Sequence, residues 1–600
     1  MKLGRMLALG WILNPLGLAL AIDVPETALP ELTIYGGNRI PKGSELTNLR
    51  INSVKLKVED NDWKTVLQEQ VQINELGPGG PVSLFMRGSN SNQTVFLVDG
   101  VKMSSATAGS PNFAAIAPGL LSSVDVIQGG TSAAFGSNAV GGVIRGNIDI
   151  PKGMMFSAGG GSRFSERAAA SFGVRGESYY AGIRVVQDII QQGPATNRNN
   201  PFAFNPNPDR DPRSRLGVVA KVGGWITPDF QVEATALGSQ LRAPFNATPT
   251  TNDVNLQSVS MANLRGIYSL PHSFSIMGTY GVSLDRSNVR GAFPAIFNSR
   301  SLQGSLQLER KLTIGRIFAG MDHEIQGINS TTVFTRTSRT NVAGFIGTQL
   351  GFERHVVEGM FRHDENSQFG GFNTYSFSLA RKLGESWRVG ALTSLSFKAP
   401  TFNDLYFPST FGFGGNPNLK PERGRMHEAF ISYDGADGGS YRLGYFINTI
   451  SDAIVINNLF SQVENISRAR IDGFELTGTQ PIGKGWSTRT NLTIQDPRNQ
   501  QLNTILPRRS RIFGTAVLRY AAGNFSTEGI ARGEGERFDD DQNLHKLPSM
   551  VIMGFSASYK MWQGSNLRVQ IDNLLDKKYQ PAIGFNGIPR TVWVSISHTF

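Results

Sequence analysis

Cysteine is missing from all 600 residues, which excludes disulfides and thiolate metal sites. Long apolar runs are also missing. Beyond residue 22 no window approaches the roughly 20 apolar residues of a membrane-spanning helix. The 7 histidines do not cluster at ligand spacing, so a direct metal or haem site finds no support. There is no HExxH, no paired-carboxylate motif and no Ser/His/Asp set on adjoining strand ends, and Asp539-Asp540-Asp541 reads as a solvated loop tip. The chain is therefore read as no enzyme. Charged residues are sparse at 18%, while glycine is abundant at 68 residues, a balance that suits a large sheet protein. If this chain crosses a membrane it does so with strands, and these must close so that no backbone edge meets lipid.

Strands are plentiful. Val592, Val594, Ile596 and Phe600 oppose Ser595, Ser597 and Thr599, a period-2 pattern ending on an aromatic residue. Such a last strand resembles the closing strand of bacterial outer-membrane barrels. Phe274, Ile276, Tyr280, Val282 and Leu284 oppose Ser275, Thr279 and Ser283, and similar alternation recurs at 302–309, 553–560 and 567–572. One apolar and one polar face is what a wall between lipid and a wet lumen requires. Connections come in two sizes: tight at 227–229, 382–386, 482–485 and 562–565, and long at 188–213, 397–425 and 532–548. The turn spacing predicts about 22 antiparallel strands after position 150, an all-β membrane barrel wide enough to need a plug.

The N-terminus opens with Lys2 and Arg5, an apolar stretch from Met6 to Leu20 and the small-x-small Ala19-Leu20-Ala21. Residues 1–21 read as a signal peptide, residues 22–36 as a flexible tail, 37–150 as a Gly-rich α+β block and 151–600 as the barrel. The formal net charge is +11. A secreted barrel would meet outer-membrane lipid headgroups with that charge rather than nucleic acid.

Within the block, Pro81 to Gly88 leads to Asn92 to Val101, read as strand, Gly turn, strand, Asp-Gly turn. Val124 to Ile144 follows with clustered glycines but without phosphate-loop spacing. Arg87-Gly88, Thr94 to Gly100 and Gly129 to Ile144 resemble the plug domain of TonB-dependent outer-membrane receptors. Phe397 to Tyr406, Gly415 to Glu422, Ile471 to Leu476 and Ile571 to Tyr579 are similar to landmarks of the barrel of that family.

The resemblance implies an importer, not a passive porin or adhesin. Glu31, Leu32, Thr33, Ile34 and Tyr35 resemble a TonB box, the strand that pairs with a TonB-type periplasmic energy-coupling protein. No folded signalling domain is expected ahead of it. Arg87 is expected to lock plug to barrel through Glu428 and Glu475. The family has a second arginine where this chain has Gln128, so the second contact is expected to fall to a neutral amide, with Arg145 a candidate to compensate. The cargo is expected to be an extracellular small molecule. The branch resembled most is the cobalamin receptors, with a ferric siderophore or other metal chelate as the alternative. Ser104, Ser110, Asn112, Phe113, Tyr406 and Phe411 are the candidate ligand contacts. No cofactor is expected apart from calcium in the extracellular loops, where Asp209 and Asp211 are weak candidates. The receptor is expected to act as a monomer.

Overall fold

The structure is a computed structural model that describes residues 48–600, except 61, 76–81, 192–193, 198–211, 246–252, 410–411 and 457–460. Glu31 to Tyr35, Asp209, Asp211 and Phe411 lie outside the described residues, as do the segments 1–21 and 22–36.

Alternation builds the wall. The chain from Gly153 onward forms one closed antiparallel barrel of 22 long strands, the number that the turn spacing predicts. The last strand, Thr591–Thr599, pairs with the first, Gly153–Gly161. The Phe600 N–H then donates to the Met154 carbonyl at 2.8 Å. The C-terminal strand thus removes the free edge that lipid would not tolerate. In Phe274–Arg290, Tyr280 faces outward at 57% exposure whereas Ser283 faces the lumen at 5%. Leu306, Met321 and Ile346 repeat the outward pattern on the strands that follow.

The two rims differ as the loop lengths predict. Aromatic pairs gather beside the tight turns: Trp387 with Tyr433 and Trp486 with Tyr520, each with ring centroids 4.8 Å apart. This is the interfacial girdle of a membrane barrel. The other rim carries the long connections.

Inside the lumen sits a five-stranded sheet. Its strands are β1 (Ile51–Lys55), β4 (Thr94–Val98), β5 (Val101–Lys102), β6 (Ser123–Gln128) and β7 (Gly142–Asn147), in the order β1-β6-β7-β4-β5. A separate hairpin joins β2 (Gln72–Glu75) to β3 (Val82–Phe85). The Asp99-Gly100 turn between β4 and β5 has positive φ at both residues, 49° and 93°. That is the two-residue geometry which an Asp-Gly pair favours in a hairpin. A short helix, Trp63–Leu67, seals the sheet's apolar face, with Trp63 against Phe96 and Phe113 at ring distances of 5.5 and 5.2 Å. The Trp63 indole N–H donates to the Ile116 carbonyl at 2.8 Å, so the ring is satisfied where it is buried.

Candidate functional site: the plug–barrel latch and the apex loop

Arg87 reaches the wall because its backbone is turned sharply. Arg87 has φ 46° and Gly88 has φ 72°. A Cβ on Gly88 would lie 2.7 Å from Cγ1 of barrel residue Ile471, so glycine is required there for both conformation and space. The turn aims the guanidinium at two barrel carboxylates. Its Nη2 lies 2.8 Å from Glu428 Oε2 and 2.9 Å from Glu475 Oε2, all three side chains being buried. Phe446 lies under the guanidinium at 5.0 Å. Burial works against the charge on Arg87, but the two carboxylates outweigh it and raise its pKa.

The second contact differs from the expectation. Arg145 is fully buried and pairs with Asp125 of the plug at 3.0 Å. Arg50 supplies the missing guanidinium instead. Its Nη1 lies 3.0 Å from Glu475 Oε2 and donates to Gln128 Oε1 at 3.0 Å. Gln128 therefore holds the arginine rather than replacing it. Burial dominates at Arg50 and lowers its pKa; Glu475 opposes this, while Arg87 and Arg442 add to it. Arg442 completes the cluster from the wall, 2.8 Å from Glu428 Oε1. Three arginines thus face two glutamates.

Moving the arginine tests this arrangement. Gln128→Arg alone places a further cation beside Arg50 and Arg87 and is expected to destabilise the contact by about 1–3 kcal/mol. Combining it with Arg50→Gln restores the cation count and is expected to recover most of the loss. Amide protection of β3 and β6 in the purified protein measures both.

Two further contacts escaped the sequence reading. Asp99, at its hairpin turn, faces Lys221 at 3.3 Å and accepts from the Thr235 hydroxyl. Its carbonyl accepts from Asn263 at 2.9 Å and from Arg265 at 2.7 Å. The second joins landmarks far apart in the chain: Lys398 and Glu422 pair at 3.2 Å, and Gln93 of the plug donates to Glu422 at 2.9 Å. An isolated Asp-Gly turn signals only a hairpin, and nothing in its local pattern names a partner more than a hundred residues away.

The apex loop carries the ligand candidates. Ser104, Ser110 and Asn112 are half-buried on it. Phe113 is 2% exposed and packs on Trp63 in the plug core instead of lining the mouth. From the long connection 399–421, the helix Phe402–Tyr406 folds down onto this loop. The Phe402 and Asn403 N–H groups donate to the Ala106 and Thr107 carbonyls at 3.2 and 3.1 Å. A capping box between Thr401 and Asp404 sets the helix start. Phe402 is fully buried and Tyr406 receives a hydrogen bond from Gln368 at 2.6 Å. Phe402 packs inward, whereas Tyr406, Phe407 and Phe413 are half-buried.

Among the described residues, gaps of about 110, 100 and 30 Å3 lie between plug and wall. They have room for waters, not for a drug-sized or larger molecule, which needs several hundred Å3.

Residues 161–574 match the family described as TonB dependent receptor-like, beta-barrel, and residues 57–143 match the TonB-dependent Receptor Plug Domain. The chain is 28% identical over 539 residues to a vitamin B12 transporter BtuB of Vibrio vulnificus, covering 86% of this chain and 85% of that one. It is 25% identical over 553 residues to a vitamin B12 transporter BtuB of Photobacterium profundum, with 88% of each covered. Its fold is similar to the siderophore receptor PiuA of Acinetobacter baumannii, with a TM-score of 0.77 at 15% identity over 92% of this chain and 97% of that one. A closed 22-strand wall, a sheet tethered inside it and a family match spanning both parts lead to one statement: the chain belongs to the TonB-dependent receptor family and is a transporter of the bacterial outer membrane, not an enzyme.

Proposed function

We propose that this receptor imports cobalamin or a related corrinoid. The observation that carries the reading is the match to vitamin B12 transporters over 86% and 88% of the chain, plug and barrel together. The apex loop is compatible with it: Ser104, Ser110 and Asn112 offer small polar groups to a bulky polar ligand. Ligand arriving from outside contacts the apex loop and the helix Phe402–Tyr406, and this shifts the population in which the segment Glu31 to Tyr35 is available below. The coupling protein pairs with that segment and pulls. The latch at Arg87 and Arg50 resists until the plug rearranges.

Titration of the purified full chain with cyanocobalamin, and separately with ferric catecholate and ferric hydroxamate chelates, tests the cargo. Saturable cyanocobalamin binding is expected. Saturation by a ferric chelate with none by cyanocobalamin would replace the corrinoid with a siderophore.

A further inference from the structure

Three connections at the long-loop rim, 500–511, 535–549 and 573–590, interlock. Asn543 of the second pairs with the Ile505 backbone of the first, accepting from its N–H at 2.7 Å and donating to its carbonyl at 2.8 Å. Asp539 is not the solvated tip that the sequence suggests. Its side chain is 7% exposed, pairs with Arg508 and accepts from the Ile583 N–H at 3.1 Å. Arg537 donates to the Gln580 carbonyl at 3.0 Å, a second tie between the same two connections.

From this cluster residues 508–510 reach the plug. Gln72 on β2 donates to the Arg508 carbonyl at 3.1 Å and accepts from the Ser510 N–H at 3.3 Å. Phe85, its partner across the β2–β3 hairpin, lies under the Arg509 guanidinium at 4.3 Å. Arg509 then donates to the Gly88 carbonyl at 3.2 Å and to the Asn90 side chain. Its contacts at 85, 88 and 90 straddle Arg87. Arg509 is 7% exposed, and among the described residues no carboxylate lies within ion-pair distance of it. Arg184 also bonds plug carbonyls, those of Leu120 and Leu121, but it does so from a barrel strand, Tyr179–Ile190, fixed by its neighbours. Arg509 acts from a connection, the part of the wall that moves most easily.

We propose that Arg509 is a positioning residue for the latch: through it the interlocked outer connections hold the Arg87-Gly88 turn in the geometry that aims Arg87 at Glu428 and Glu475. The turn needs such support, because Arg87 carries a φ of 46° that side chains other than glycine adopt at a cost. A buried guanidinium without a counter-ion is stable only where its donors meet fixed acceptors, so finger and turn specify each other. Displacing 535–549 or 573–590 from outside takes Asp539 from Arg508, frees residues 508–510 and removes the donors from Gly88 and Asn90. The latch is thereby loosened from the ligand side, before any pull from below. This inference rests on ligand arriving at the long-loop rim, not on which ligand it is.

The test uses the purified full chain in uncharged detergent without ligand, so its outcome does not depend on the cargo. Amide protection is read in the latch turn, residues 85–93, where the Ser89 N–H closes onto the Met86 carbonyl at 2.9 Å. Arg509→Gln is expected to lower it about tenfold, the loss of one charge-assisted hydrogen bond. The Asp99-Gly100 hairpin, held by Lys221 and Arg265, should stay within about twofold of wild type. Arg509→Lys keeps the cation but not the fork and should recover part of the loss. The deciding variant is Asp539→Asn. Among the described residues the Asp539 side chain bonds Arg508 and the Ile583 N–H and no plug group. Asp539→Asn should nevertheless lower protection of the turn about threefold. It should have no added effect in the Arg509→Gln background. Wild-type protection in Asp539→Asn would overturn the proposal, as would additive losses in the double variant. Equal losses in the turn and in the Asp99-Gly100 hairpin would also overturn it, because Arg509 would then stabilise the plug as a whole and position nothing.

Discussion

Arg87→Met is expected to loosen the plug in its barrel by about 3 kcal/mol, a roughly 100-fold fall in amide protection across β3 and β4. Removing one partner of a buried ion pair costs more than the pair contributes, because the remaining charge stays desolvated. Here two carboxylates are left, at 4% and 6% exposure. The penalty is held to the lower end of the usual range because Arg442 still touches Glu428 and Arg50 still touches Glu475. Lysine at the same place keeps the charge but not the fork, so Arg87→Lys is expected to recover only part of the loss. A double-mutant cycle between Arg87→Met and Arg50→Met should show strong non-additivity, since both arginines bind one Glu475 oxygen. Additive losses would mean that the two cations act independently and that no shared latch exists.

The wall was largely legible in the sequence because its physics is local. A strand facing lipid on one side and water on the other writes its orientation into every second residue, and turn length tells which rim a connection occupies. Phe600 beside Phe156, at a ring distance of 6.0 Å, is the same rule read at the seam. The interior was less legible because its contacts are remote. Arg50 precedes an ordinary strand, and its carboxylate is more than four hundred residues away. Gln128 read as a lost charge because only its own position is visible in the sequence; the hydrogen bond that turns it into a support for Arg50 exists only after the sheet has formed. Phe113 and Phe402 illustrate the same limit. An aromatic residue in a polar loop looks equally like a ligand contact or a core anchor, and in both cases burial against neighbouring elements decides for the core.

Thr33→Pro or Ile34→Pro is expected to abolish uptake of labelled cobalamin while leaving surface binding within about twofold of wild type. The asymmetry comes from what each step uses. On the proposed reading, ligand recognition from outside uses the apex loop and the helix Phe402–Tyr406. On the same reading, strand addition uses backbone N–H and C=O groups of residues 31–35, and proline deletes one donor and fixes φ. Thr33→Ala keeps the donor and is expected to retain most uptake, since a strand pairing that depends on backbone tolerates side-chain change. The comparison needs cells that lack their own cobalamin receptor, with accumulation measured against surface binding in the same cells. Among the described residues, the gaps of about 110, 100 and 30 Å3 between plug and wall are each too small for cobalamin. If proline variants accumulate ligand at the wild-type rate, the pull acts on a different segment. If they lose binding as well as uptake, residues 31–35 take part in building the mouth rather than in coupling it to energy.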